Sequence, residues 1–145
     1  MARRIGMLLI VVIAIVSLLG MANAQTGQGG KKTITLPNGN VIWDLNGEWD
    51  VINENYGAWS RWGVYPNIHR ITQTGSSIVG VLGMDDRYYK AGYQYIGAEL
   101  DKTGFLKVKI YTNFGTLDSK GWVSEDGNKI VIDDGEKFKM TLTRK

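Results

Sequence analysis

From Gly47 to the C-terminus, apolar and polar residues alternate with a period of two in short runs, and no stretch sustains the spacing of an amphipathic helix. The pattern predicts eight strands, near residues 47–54, 67–73, 77–84, 93–101, 105–112, 119–125, 128–133 and 136–143. In FLKVKIYT, Leu106, Val108 and Ile110 fall on one side and Lys107 and Lys109 on the other. In EKFKMTLTRK, Phe138, Met140 and Leu142 alternate with Lys137, Lys139, Thr141 and Thr143. Ile96, Ala98 and Leu100, and then Ile130 and Ile132, repeat the arrangement. One apolar face and one polar face is the pattern of an antiparallel sheet with a single buried side.

The punctuation agrees. Gly75, Gly104, Gly127 and Gly135 each sit in a short polar connection, where a tight hairpin needs positive φ. Connections this short make consecutive strands antiparallel neighbours, an up-and-down meander. Left flat, such a sheet would expose two edges and its whole apolar face; closure removes both problems. The expected fold class is all-β, an eight-stranded antiparallel up-and-down β-barrel over residues 45–145, with a two-sheet sandwich as the alternative.

Before the barrel, Arg3 and Arg4 precede an uncharged apolar run, and Ala22-Asn23-Ala24 makes a small-x-small site ahead of Gln25. This is the layout of a secretory signal peptide over residues 1–24. The run is long enough to span a bilayer if retained, and the cleavage site favours removal. The expected location is secreted or periplasmic, with no membrane association after cleavage. Arg3 and Arg4 are two of 17 basic residues set against 14 acidic ones, so cleavage brings the chain close to neutrality. That removes the compositional case for nucleic acid, which calls for a clustered basic surface. The chain has no cysteine, so its core rather than disulfides must hold it. Residues 25–44 begin with QTGQGGKK, read as a flexible arm, and TITLPNGNVIWDL adds a short hairpin or extended segment around Pro37-Asn38-Gly39.

Gly47-Glu48-Trp49 opens the first barrel strand, and Arg144 stands near the end of the last. This G-x-W with a C-terminal arginine resembles the signature of the calycin superfamily, the lipocalins, fatty-acid-binding proteins and avidins. The resemblance spans residues 45–145 and implies a lipocalin-like barrel in which Arg144 lies across Trp49. Gly47, Trp49 and Arg144 would then be structural residues closing one end. Parity agrees, because Arg144 is in step with Phe138, Met140 and Leu142. A guanidinium over an indole face gains about 0.5–2 kcal/mol.

Catalytic chemistry finds little support. His69, the single histidine, reads as a surface residue or a satisfied core group. No G-x-S-x-G elbow occurs, and one histidine without cysteine leaves no ordinary zinc set. Asp85-Asp86 and Asp133-Asp134 suit turns, since neighbours on a strand would point to opposite faces. The reading is a non-enzyme with no catalytic residue, no metal and no cofactor.

The residues that stand out are aromatic. YGAWSRWGVY, residues 56–65, lies in the connection after the first strand, and DDRYYKAGYQY, with Tyr88, Tyr89, Tyr93 and Tyr95, lies in the third connection. Alternate hairpins of a meander share an end, so these two meet the fifth connection, which holds Phe114, at one rim. Tyr and Trp present apolar bodies with polar tips, which suits a ligand or partner site. The expected rim and lid residues are Tyr56, Trp59, Arg61, Trp62, Tyr65, Arg87, Tyr88, Tyr89 and Tyr93, with Arg61 and Arg87 able to meet an acidic head group. The inward residues Leu82, Ile96, Leu100, Val108, Ile110, Ile132 and Met140 point to an apolar cargo. The rings could equally fold back as core over a barrel filled by its own side chains, or face a protein partner as in an inhibitor or envelope adaptor. The expected function is non-catalytic binding of a small apolar ligand by a monomer.

Overall fold

The computed structural model describes residues 32–145 and, as backbone, residues 24–26. Apart from Ala24, the expected leader lies outside the described residues. Strands β1 (Ala24–Thr26), β2 (Lys32–Thr35) and β3 (Val41–Trp43) form a small antiparallel sheet in that order. Eight further strands close a barrel in chain order: β4 (Gly47–Asn55), β5 (Val64–Thr74), β6 (Ser77–Leu82), β7 (Gln94–Leu100), β8 (Phe105–Thr112), β9 (Gly115–Val123), β10 (Lys129–Asp133) and β11 (Phe138–Arg144). All neighbours are antiparallel, and β11 returns to β4 in a continuous ladder from Phe138↔Asn55 to Arg144↔Trp49. The apolar parity read from the sequence is the buried one, with Val108, Ile110, Met140 and Leu142 all but inaccessible.

Two strands begin earlier than alternation predicts. β5 starts at Val64 and so takes in Tyr65 and Pro66, which the sequence leaves in a loop. Proline is tolerated there because β6 pairs with β5 only from His69 to Thr74; on that side Pro66 interrupts no ladder. β9 starts at Gly115 because β8 pairs with it as far as Thr112↔Gly115, although its first residues bury little.

The barrel is packed rather than hollow at the Trp49 end. Ile71, Ile78, Ile96, Leu106, Ile130 and Leu142 enclose a residual void of only about 10 Å³, at the lower limit of what one water needs. The β2–β3 hairpin covers this end, with Ile34, Ile42 and Leu45 buried in the same core. Gln73 fastens it: its side chain accepts from Leu45 N (2.7 Å) and donates to the carbonyls of Trp43 and Gly75 (both 3.0 Å). Residues 32–43, read from the sequence as a short hairpin or an extended segment, pair as a hairpin and contribute to the core.

The guanidinium of Arg144 lies 4.5 Å from the centre of the Trp49 ring. It donates to the carbonyls of Asn46 (3.1 Å), Asp44 (2.7 Å) and Gly127 (3.3 Å). The Trp49 indole N–H donates to Leu45 O at 3.0 Å. Gly47 is required for its φ of +132° rather than for space, since an added Cβ would meet Arg144 Nη1 at an ordinary 3.8 Å.

Urea denaturation separates these contributions. Trp49→Ala should cost about 3–5 kcal/mol, the range for emptying a fully buried tryptophan site. Arg144→Met should cost about 2 kcal/mol, because the ring contact and the charge-assisted bonds to carbonyls are lost together. A midpoint for Arg144→Met equal to wild type would mean that the guanidinium does not hold this end.

Candidate functional site

The opposite end of the barrel is built from the long connections. After β4 the chain turns through a short 3-10 helix, Gly57–Trp62. Gly57 permits this: its φ is +53°, and a Cβ would fall 2.4 Å from the carbonyl oxygen of Glu136. Tyr56 anchors the turn away from the mouth, with its N–H on Lys137 O (2.8 Å) and its hydroxyl on Asp133 Oδ1 (2.5 Å). That carboxylate contact pushes the Tyr56 hydroxyl pKa up to about 12. Trp59 stacks on Phe138 with ring centres 6.0 Å apart and meets Trp62 edge-on at 5.0 Å. Trp62 in turn lies 6.4 Å from both Tyr88 and Phe114. The Arg61 guanidinium covers its ring at 4.9 Å.

The connection between β6 and β7 is organised by its two aspartates, as the turn reading implies. Asp86 accepts from the N–H groups of Tyr88 (2.7 Å) and Tyr89 (2.8 Å) and from Asn67 Nδ2 (3.1 Å). Asp85 accepts from Ala91 N (2.9 Å) and Lys90 Nζ (2.7 Å). Tyr89 packs on Tyr93 at 4.6 Å, and its hydroxyl accepts from Asn113 N (3.1 Å), tying in the β8–β9 tip. A bulge then re-aims one side chain. Gly80 pairs with Ile96 and Val81 with Gln94, which leaves Tyr95 without a ladder partner. Tyr95 turns inward, where its hydroxyl meets that of Tyr65.

These elements bound a cleft of about 210 Å³. Of the expected rim residues, Trp59, Arg61, Trp62, Tyr65, Tyr88 and Tyr89 line it. Tyr56 faces the β10–β11 turn, and Tyr93 stands behind Tyr89. Arg87 lies in an adjoining hollow with Asp85 and Asp86, its guanidinium 6.0 Å from the Tyr88 ring. The lining also includes Asn55, Tyr95, Thr112, Asn113 and Phe114. Tyr95 and Phe114 belong to segments noted for their rings, but nothing in the alternation of β7 signals the bulge that brings Tyr95 in.

The wholly aliphatic interior expected from the sequence needs correction. β5 directs Asn67, His69 and Gln73 inward, and Asn53 and Ser119 are buried with them. His69 is neither at the surface nor satisfied: it is 1% exposed, and neither ring nitrogen has a hydrogen-bond partner. Its ring meets Tyr95 edge-on at 5.7 Å. Burial lowers the His69 pKa to about 4. Burial, reinforced by the Asp86 charge, raises Tyr65 to about 12, and burial also raises Tyr89 and Tyr95. All three tyrosines therefore stay neutral donors at ordinary pH. Among the described residues no group of three His, Cys, Asp or Glu is placed to hold a metal ion. Nor is any helix among them long and apolar enough to cross a membrane.

The buried imidazole makes stability depend on pH with a definite sign. Its folded pKa of about 4 lies below the ordinary 6.5, so between those values the unfolded chain binds the extra proton. Stability should fall as pH drops from about 6.5 towards 4, by up to about 3 kcal/mol from this group. Urea midpoints for wild type and His69→Phe, compared across that window, isolate the effect from the carboxylates. Parallel curves would mean that folding does not lower the His69 pKa, the imidazole taking up its proton as readily in the folded as in the unfolded chain.

Comparison with protein-family models, curated proteins and solved structures finds no match to this chain; its closed eight-stranded antiparallel barrel is consistent with a calycin-like fold.

Proposed function

We propose that this is an exported, non-catalytic binding protein that holds a small, largely apolar, ring-bearing ligand in the mouth of its barrel. The observation that carries this reading is the aromatic-walled cleft of about 210 Å³ seated above a filled core. A dry cavity of about 150 Å³ takes up benzene, so the cleft suits one ring or two fused rings. A long acyl chain would find no room deeper in the barrel, where the void is about 10 Å³. Arg61 at the rim adds a cation for an acidic substituent. Export is supported by the leader-like layout of residues 1–24.

A second reading, docking of a protein on the same rim, draws on Phe114 and Val64, which are 84% and 67% exposed. A carrier and a docking module differ in what leaves the mouth on denaturation. Native mass spectrometry of the protein from its exporting host should show a small adduct that denaturation removes.

Titration with 2-naphthoate, followed by tryptophan fluorescence, tests the cleft directly. Trp62→Ala should weaken binding about tenfold, the worth of one aromatic contact, with a much smaller effect on stability. Trp122→Phe, which alters a half-exposed ring that packs on Phe105 away from the cleft, should leave affinity unchanged. Absence of both an adduct and naphthoate binding would remove the small-ligand reading and leave the protein-docking one.

A further inference from the structure

We propose that the ligand carries a hydrogen-bonding group at one end of its ring system, and that this group is read by a buried polar column of Tyr65, Tyr95 and His69 beneath the cleft. The inference rests on the cleft being the ligand site. A neutral imidazole always presents one N–H donor and one bare acceptor nitrogen. Both are buried and unpartnered in His69. A buried polar group of this kind needs a reason, because an apolar side chain at the same place would carry no desolvation cost. Across the ladders, His69 neighbours Trp49 on β4 and Leu82 on β6, both fully buried and apolar.

The route between cleft and imidazole is one ring deep. Tyr95 lines the cleft on one side and touches the His69 ring on the other, at 5.7 Å. It occupies the bulge, without a ladder partner across β6, so packing against Tyr89 (5.5 Å) and the Tyr65 hydroxyl orient it rather than a regular ladder. Along β5, Tyr65 and His69 point inward with the same strand parity, so the column descends from the cleft towards the level of Trp49. A ligand whose polar end enters beside the Tyr95 ring would bond to the Tyr65 and Tyr95 hydroxyls and supply His69 with the partner it lacks. The chemical class that fits is a planar ring bearing a neutral donor–acceptor group, such as a phenolic or enolic hydroxyl or an azole N–H. A plain hydrocarbon satisfies the aromatic walls but leaves the column unmet.

His69 is the single histidine in the chain, so its two ring nitrogens give one unambiguous pair of signals in a long-range 1H–15N spectrum. The test titrates 2-naphthol and 2-methylnaphthalene, which share shape and differ in the polar group, while monitoring His69 and the Trp62 indole. The expected result is that both move Trp62, only 2-naphthol moves the His69 nitrogens, and 2-naphthol binds at least about tenfold tighter. His69→Phe should abolish that preference while keeping 2-methylnaphthalene binding. Should His69→Phe fail to fold, Tyr65→Phe serves instead, with the same loss of preference expected. Equal affinity for the two probes with unmoved His69 signals would overturn the column and leave the cleft as a purely apolar site. If neither probe moves Trp62, the cleft reading falls and the column with it.

Discussion

The pairing of β4 with β11, sealed by Arg144 over Trp49, is the constraint on which the rest of this structure depends. An eight-stranded sheet with one apolar face has to close, and closure brings together residues almost a whole barrel apart in the chain. Where the strands end, backbone carbonyls are left with no strand to accept from. A single guanidinium meets those of Asp44, Asn46 and Gly127 while covering the indole beneath. With the β2–β3 hairpin laid across it and fastened by Gln73, this end is solid. The open cleft lies at the other end.

The two ends differ because their connections do. At the Arg144 end the strands turn tightly through glycines with positive φ, leaving little to project. At the mouth, the Gly57–Trp62 helix and residues 83–93 are long enough to carry rings of their own. They are held in shape by local bonds: Asp85 and Asp86 to nearby N–H groups, Tyr56 to Asp133, and Tyr89 to Asn113. Such bonds fix much of the aromatic wall from outside the hydrophobic core, although Trp59 and Tyr95 also pack against that core. A change in a cleft ring such as Trp62 is accordingly separable from a change in fold stability, and a change in Trp49 is not.

Between the solid end and the aromatic mouth lies a layer that is neither. Asn53, Asn67, His69 and Ser119 are buried beside aliphatic residues, and His69 has no protein partner. A fully aliphatic barrel would hold a ring by shape alone. In the binding role proposed above, a buried imidazole one tyrosine away, kept neutral at ordinary pH by its burial, would distinguish a polar-ended ring from a plain one.

Strand parity, meander order and the tight turns are legible along the chain, because each follows from short-range alternation or from simple counting of hairpins; the meeting of Trp49 with Arg144 is what the calycin resemblance implies, and parity agrees with it. The gathering of Trp59, Trp62, Tyr88 and Tyr89 at one end follows from the same counting. Where alternation is interrupted, sequence reasoning loses its guide. Pro66 conceals the early start of β5, and the bulge opposite Gly80 and Val81 adds a residue that turns Tyr95 inward. Likewise, residue type alone cannot show that His69 is buried without a partner, since that depends on what Trp49, Leu82 and Tyr95 bring from three other strands. The sequence by itself determined a closed barrel and which of its ends carries the rings. The depth of the cleft and the polar group beneath it were decided only by the tertiary structure, because they arise from register between strands, which no single strand encodes.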